Sequence, residues 1–191
     1  LVSKDHGKSW TEEEVPLVGT EGKPFIAAVA PDDAEKVYLR TSNNPDAPGR
    51  LILREKDGKQ TTLITTKAPI TGFALSPDNT KIWVGSAVDG VWMASTSDYK
   101  FTKKSEMAVT CLNAQSDGLW ACSNEGAKPI GFIAGLSKDD GATFEPKQHF
   151  CDIRGALTCA SESTTSKLCK WPAQRDLLGG ELGHEGANVI R

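Results

Sequence analysis

The sequence predicts an all-β protein assembled from repeated, short-stranded units, and three observations carry that prediction. Eighteen glycines and ten prolines punctuate short alternating runs rich in Val, Ile, Thr and Trp. Long stretches with helical 3.6-residue periodicity are missing. A turn pattern occurs twice, near the two ends of the first 150 residues. The composition agrees with a soluble globular chain: 191 residues, 38% apolar, 25% charged, with a formal net charge of −3. That length can bury one good core. No apolar run approaches the roughly 20 residues that span a bilayer. A weakly acidic chain with no basic cluster is also poorly suited to nucleic acid.

The repeated turn is S-x-D-x-G-x-[ST]-[WF]. Its first copy is Ser3, Asp5, Gly7, Ser9 and Trp10, and its second is Ser137, Asp139, Gly141, Thr143 and Phe144. Each residue type has a task in a tight hairpin. The aspartate accepts backbone N–H bonds across the turn, and glycine supplies a positive φ without steric cost. The Ser or Thr hydroxyl ties the loop to its own backbone, and the aromatic packs the start of the outgoing strand. Two degenerate copies lie between. "REKDGKQTTL" keeps Asp57 and Gly58, while "STSDYKFT" keeps Ser95 and Phe101 but has no glycine. The turns begin near residues 3, 54, 95 and 137, and a period of about 40–50 residues is what one four-stranded propeller blade requires.

The strands repeat with the turns. "FIAAVAPDDAEKVYLRTSN" from Phe25, "ITGFALSPDNTKIWVGSAV" from Ile70 and "VTCLNAQSDGLWACSNE" from Val109 align, with Tyr38, Trp83 and Trp120 at equivalent places. Third strands follow in "GRLILRE", "GVWMAST" and "GFIAGLS", and then come the turn and a polar edge strand such as "TFEPKQH". The expected β-propeller organisation is therefore an orphan outer strand over about 10–18 and three blades over about 22–66, 67–105 and 106–149. Closed propellers have about four to eight blades. The chain is accordingly expected to be one part of a longer propeller, with its remaining blades supplied by upstream sequence or another chain.

With these residues in view, the turns resemble the Asp-box, or BNR repeat, of sialidase-like, sortilin-like and related secreted β-propellers. The resemblance covers about residues 1–149. It implies a structural role for the turn residues, because Asp-box turns sit on the outer edge of a propeller, away from its central pocket. It also implies a secreted or cell-surface protein, periplasmic or extracellular.

Five cysteines fall in the last half of the chain, at 111, 122, 151, 159 and 169. In "TCLNAQSDGLWAC", pairing Gln115 with Gly118 across the turn sets Cys111 opposite Cys122, at a spacing compatible with a disulfide. The C-x₂₋₄-C spacing of a zinc site does not occur. Residues 150–191 leave the repeat and read as a cysteine-containing C-terminal extension. That tail resembles the C-terminal extensions of Asp-box propellers from myxobacteria and their relatives, where a Cys pair ahead of a Trp closes the chain. The resemblance implies a Cys159–Cys169 disulfide ahead of Trp171 and leaves Cys151 without a partner in this chain.

Catalytic chemistry finds little support in the residues. A sialidase needs three arginines on the substrate carboxylate, a Tyr–Glu pair and an Asp acid/base. Here Arg40, Arg50 and Arg54 cluster in one blade, and the tyrosines are only Tyr38 and Tyr99. His6, His149 and His184 are far apart, "GHEG" is not H-E-x-x-H, and Asp32–Asp33 and Asp139–Asp140 lie in turns. Trp83, Trp92 and Trp120 at strand positions suit packing better than sugar stacking. The expectation is a non-catalytic module for binding or scaffolding, with no cofactor and no metal. A glycan or a protein stands open as its ligand. The alternative is a glycan-binding or sialidase-like glycoside hydrolase with its catalytic residues in blades outside this chain.

Overall fold

The computed structural model describes residues 1–41, 44, 46–126 and 131–149. Among these residues there is no helix, and the chain forms three four-stranded antiparallel sheets. The first sheet contains β1 (Phe25–Ala30), β2 (Asp33–Arg40), β3 (Gly49–Arg54) and β4 (Gln60–Thr66). The second contains β5 (Gly72–Leu75), β6 (Lys81–Ser86), β7 (Gly90–Ser95) and β8 (Thr102–Ser105). The third contains β9 (Cys111–Gln115), β10 (Gly118–Cys122), β11 (Ala134–Ser137) and β12 (Glu145–Gln148). Within each sheet the strands are neighbours in chain order, so each sheet is a simple meander.

Alternation along the strands gives each sheet two usable faces, because successive side chains point to opposite sides. Tyr38, Leu51 and Leu53 of the first sheet pack with Ile82, Val84 and Ala94 of the second. The opposite face of the second sheet offers Ala74, Trp83 and Val91, which pack with Leu112, Leu119 and Ala121 of the third. The middle sheet is therefore buried on both sides, and β6 reads as a nearly continuous buried run from Ile82 to Ser86. Gly72 and Gly85, paired across β5 and β6, permit the close approach of the third sheet. A Cβ on Gly85 would meet Val109 Cγ2 at 2.3 Å, and one on Gly72 would meet Leu112 Cγ at 2.7 Å.

The hairpin register read from the sequence is present in the third sheet. Gln115 stands opposite Gly118 and Cys111 opposite Cys122. Cys111 and Cys122 form a disulfide with their Cα atoms 4.8 Å apart. Cys151, Cys159 and Cys169 lie outside the described residues.

The orphan outer strand expected over 10–18 is not a strand. Apart from one bridge between Val2 and Thr11, this segment makes no ladder. No neighbouring strand lies beside it among the described residues, so side chains of the first sheet take its place. Arg54 holds Glu13 through two bonds of 2.9 and 2.8 Å, Gln60 donates to the Glu14 carbonyl, and Arg50 donates to the Pro16 carbonyl. Pro16 itself offers no N–H for a ladder. A second difference is smaller: the third strand of the third sheet begins at Ala134 rather than at Gly131.

Candidate functional site

The two complete turn motifs adopt one geometry. In the first, Ser9 donates its N–H to Asp5 Oδ1 at 2.8 Å and its hydroxyl to Oδ2 at 2.6 Å. Ser3 donates its hydroxyl to Asp5 and accepts the Gly7 N–H at 2.7 Å. The second turn repeats the set: Thr143 donates to Asp139 at 2.9 and 2.6 Å, and Ser137 accepts the Gly141 N–H at 2.8 Å. Positive φ falls on the same two positions, His6 and Gly7 in one copy, Asp140 and Gly141 in the other. The turn at 137–144 joins β11 to β12, the third and fourth strands of its sheet.

These bonds act on ionisation. The hydroxyl and N–H of Ser9, then the Ser3 hydroxyl, hold the Asp5 carboxyl down at about 2. Thr143 does the same for Asp139, also to about 2. A carboxylate saturated by donors in its own turn stays ionised and is a poor proton carrier. The aromatic positions differ. Phe144 packs on Phe132 with ring centroids 6.0 Å apart, whereas Trp10 is 60% exposed.

The degenerate copies are also turns between third and fourth strands. In 55–59, Gly58 supplies the positive φ and Asp57 accepts the Lys59 N–H. In 96–101 the glycine position is taken by Tyr99 at φ 52°, whose N–H bonds the Ser95 carbonyl. Sequence reasoning missed two further acidic turns. Asp78 accepts the hydroxyls of Ser76 and Thr80 in the β5–β6 turn, with Asn79 at φ 54°. These bonds, the Ser76 hydroxyl first, hold the Asp78 carboxyl below the ordinary carboxylate range. The spacing Ser76-x-Asp78-x-Thr80 was a readable signal for this shortened version. Asp89 is buried and accepts N–H bonds from Lys67 and Ala68 as well as the Ser86 hydroxyl. It thereby ties the β6–β7 turn to the connection leaving β4. Its only sequence signal was the Asp-Gly pair before β7.

The turns 76–80, 115–118 and 137–141 meet at one end of the second and third sheets and line an open groove of about 640 Å³. Trp83 and Leu119 form its apolar part, and Asp78, Asp117, Asp140, Lys81 and Lys138 its charged part. Much of this polarity is already engaged. Lys81 Nζ bonds both oxygens of Asp140 at 2.8 and 2.9 Å, Trp83 Nε1 donates to the Asp140 carbonyl, and Trp120 Nε1 donates to Asp117. The groove can accept hydrogen bonds from a hydroxyl- or amine-bearing ligand on the remaining carboxylate lone pairs. Among the described residues, no group of three or more His, Cys, Asp or Glu side chains is placed to hold a metal ion.

The arginines weighed for a carboxylate clamp and the tyrosines weighed for a Tyr–Glu pair have other duties. Arg40 donates to the Ile70 and Thr71 carbonyls, bridging the first sheet to the second. Arg50 bonds Glu21, and Arg54 bonds Glu13. Each arginine holds its carboxylate partner below the ordinary range. Tyr38 is fully buried with its hydroxyl 2.9 Å from that of Tyr99, and burial pushes its phenol up.

No protein-family model matches this chain, and no curated protein matches it in sequence comparison.

Proposed function

We propose that this chain is part of a non-catalytic, secreted β-propeller module of the Asp-box type that serves in binding or scaffolding. The observation that carries the reading is the face-to-face stack of three consecutive four-stranded meanders, the third of which carries the complete turn motif between its third and fourth strands. Strands β5 and β9, the first of their sheets, lie in contact, as the inner strands of adjacent blades do. The Cys111–Cys122 disulfide supports an oxidising compartment. The engagement of Arg40, Arg50, Arg54 and Tyr38 in structural bonds supports a module that binds rather than transforms its ligand. The groove beside Trp83 is the surface we assign to ligand contact, and its acceptor-rich rim suits a glycan or a polar protein segment.

The test is a pair of assays on the purified protein. Sialoside and aryl-glycoside substrates are expected to give no turnover, while a glycan or protein array reports binding that weakens when Asp117 and Lys138 at the groove are replaced by alanine. Turnover that disappears in Tyr38→Phe or Arg40→Ala would overturn the non-catalytic reading.

A further inference from the structure

The fourth strands of the three sheets differ in character. β8 carries Lys103 and Lys104, and β12 carries Pro146 between Glu145 and Lys147. Lysine and proline on an edge strand keep other chains from pairing with it. β4 has neither. It is seven residues long, uncharged and free of proline and glycine, and among the described residues no strand lies on its outer side. Such an edge is a template for a further strand. β1 is uncharged too, but its pairing with β2 slips twice within six residues, so it offers no regular row.

Register tells which backbone groups β4 offers. Arg50 accepts the Thr41 N–H on its carbonyl and donates its own N–H to the Thr41 hydroxyl, both on the side away from β4. Opposed residues of an antiparallel ladder either exchange bonds or both turn away. Thr65, opposite Arg50, therefore turns its N–H and carbonyl to the free side, and Thr62, opposite Ile52, does the same by the alternation of β3. Between them the ladder shifts: Thr62 faces Ile52 and Ile64 faces Leu51, which leaves Leu63 as the extra residue of a bulge. Leu63 and Ile64 both pack on the core between the first and second sheets.

We propose that β4 pairs antiparallel with β4 of a second copy of this chain, joining two four-stranded sheets into one across a two-fold axis. The sequence of the edge is its own complement. From Thr61 it reads "TTLITT". Pairing about the Leu63–Ile64 bond sets Thr61 against Thr66 of the partner subunit, Thr62 against Thr65 of the partner subunit, and Leu63 against Ile64 of the partner subunit. In a regular strand this register would put opposed side chains on opposite faces, because successive residues alternate. The bulge at Leu63 removes that conflict, so each opposed pair shares a face. Thr62 and Thr65 then exchange the backbone bonds they turn outward, and Thr–Thr neighbours suit a cross-strand pair. No like charges meet, since Lys67 comes against Gln60 of the partner subunit. One strand pair buries less than the roughly 1,200 Å² of a standard interface, so the dimer is weak and reversible.

The test is sedimentation equilibrium of the 191-residue chain from about 10 μM to about 1 mM, with amide hydrogen exchange at both ends of the range. The expected result is a monomer–dimer equilibrium in which the Thr62 and Thr65 amides exchange more slowly at high concentration, while those of β1, β8 and β12 do not change. Thr65→Pro removes an outward N–H but no bond to β3, and should weaken the dimer by about tenfold. Thr62→Lys/Thr65→Lys sets lysine against lysine across the axis and should abolish dimerisation. Thr62→Glu/Thr65→Lys sets opposite charges at the same places and should restore it at low salt. Circular dichroism checks that each variant is folded, and the two charge variants decide the matter if Thr65→Pro is not. A chain that stays monomeric throughout, a dimer equally strong in both charge variants, or slowed exchange confined to strands other than β4 overturns the inference.

Discussion

Asp139 shows how one side chain can close a turn. Its two oxygens accept both the N–H and the hydroxyl of Thr143 and a third bond from Ser137. Asp139→Ala removes these acceptors together and should destabilise the protein by about 1–2 kcal/mol, the usual loss for a capping-type bond set. Chemical denaturation of the variant checks this, and Asp139→Asn, which keeps one acceptor, should cost less. The acid dependence follows from the same bonds. The carboxyls of Asp5 and Asp139 are depressed from 3.8 to about 2 in the folded chain, so the unfolded chain binds protons first as pH falls. Their contribution is fully present above about pH 4 and is lost as pH falls towards about 2. Melting curves across that window should show a smaller acid loss in the Asp5→Asn/Asp139→Asn protein than in the wild type. These turns were legible in the sequence because every bond in them is local, spanning two or four residues.

At the scale of the element, the β9–β10 hairpin is the best-determined unit. A two-residue connection fixes its register, and the Cys111–Cys122 bond sits on the non-local end of that ladder. Replacing both cysteines by serine should lower stability by about 2–3 kcal/mol in the chain-entropy model. Denaturation under non-reducing conditions measures the loss, and peptide mapping of the unreduced protein should recover the 111–122 linkage. The segment at 11–18 teaches the opposite lesson. The place of "TEEEVPLVG" after the first turn motif suggests a strand, yet a strand exists only as half of a ladder. Arg50, Arg54 and Gln60 supply the bonds a neighbouring strand would have made. Nothing in the local pattern could reveal that substitution.

For the whole molecule, the second-strand aromatics of the first two sheets, Tyr38 and Trp83, couple one sheet to the next. Trp83 is 5% exposed and spans the junction to the 137–144 turn, 57 residues away. Trp83→Ala should cost about 3–5 kcal/mol, because it opens a cavity between two sheets. Trp83→Phe keeps most of the ring and loses the bond to Asp140, so its cost should be close to the 0.5–1.5 kcal/mol of one net hydrogen bond, to order of magnitude. Thermal or denaturant unfolding of the pair tests the coupling. A Phe variant as damaged as the Ala variant would place the weight on the hydrogen bond rather than on packing.

Alone, the sequence determined most of the strand runs, the chemistry of the two complete turns and the position of the Cys111–Cys122 disulfide, since each depends on residues within about a dozen places of one another, and it showed the period because the turn recurs. Only the tertiary structure decided which face of each sheet meets its neighbour, that Asp89 is buried under the Lys67 and Ala68 amides, and that Tyr38 reaches Tyr99. It also decided that three turns from two sheets enclose the groove beside Trp83. The Asp89 and Tyr38 contacts alone join residues 21 and 61 positions apart. Local propensity and periodicity carry no record of such pairs, because their energies arise from burial and hydrogen bonds that exist only once the sheets are stacked.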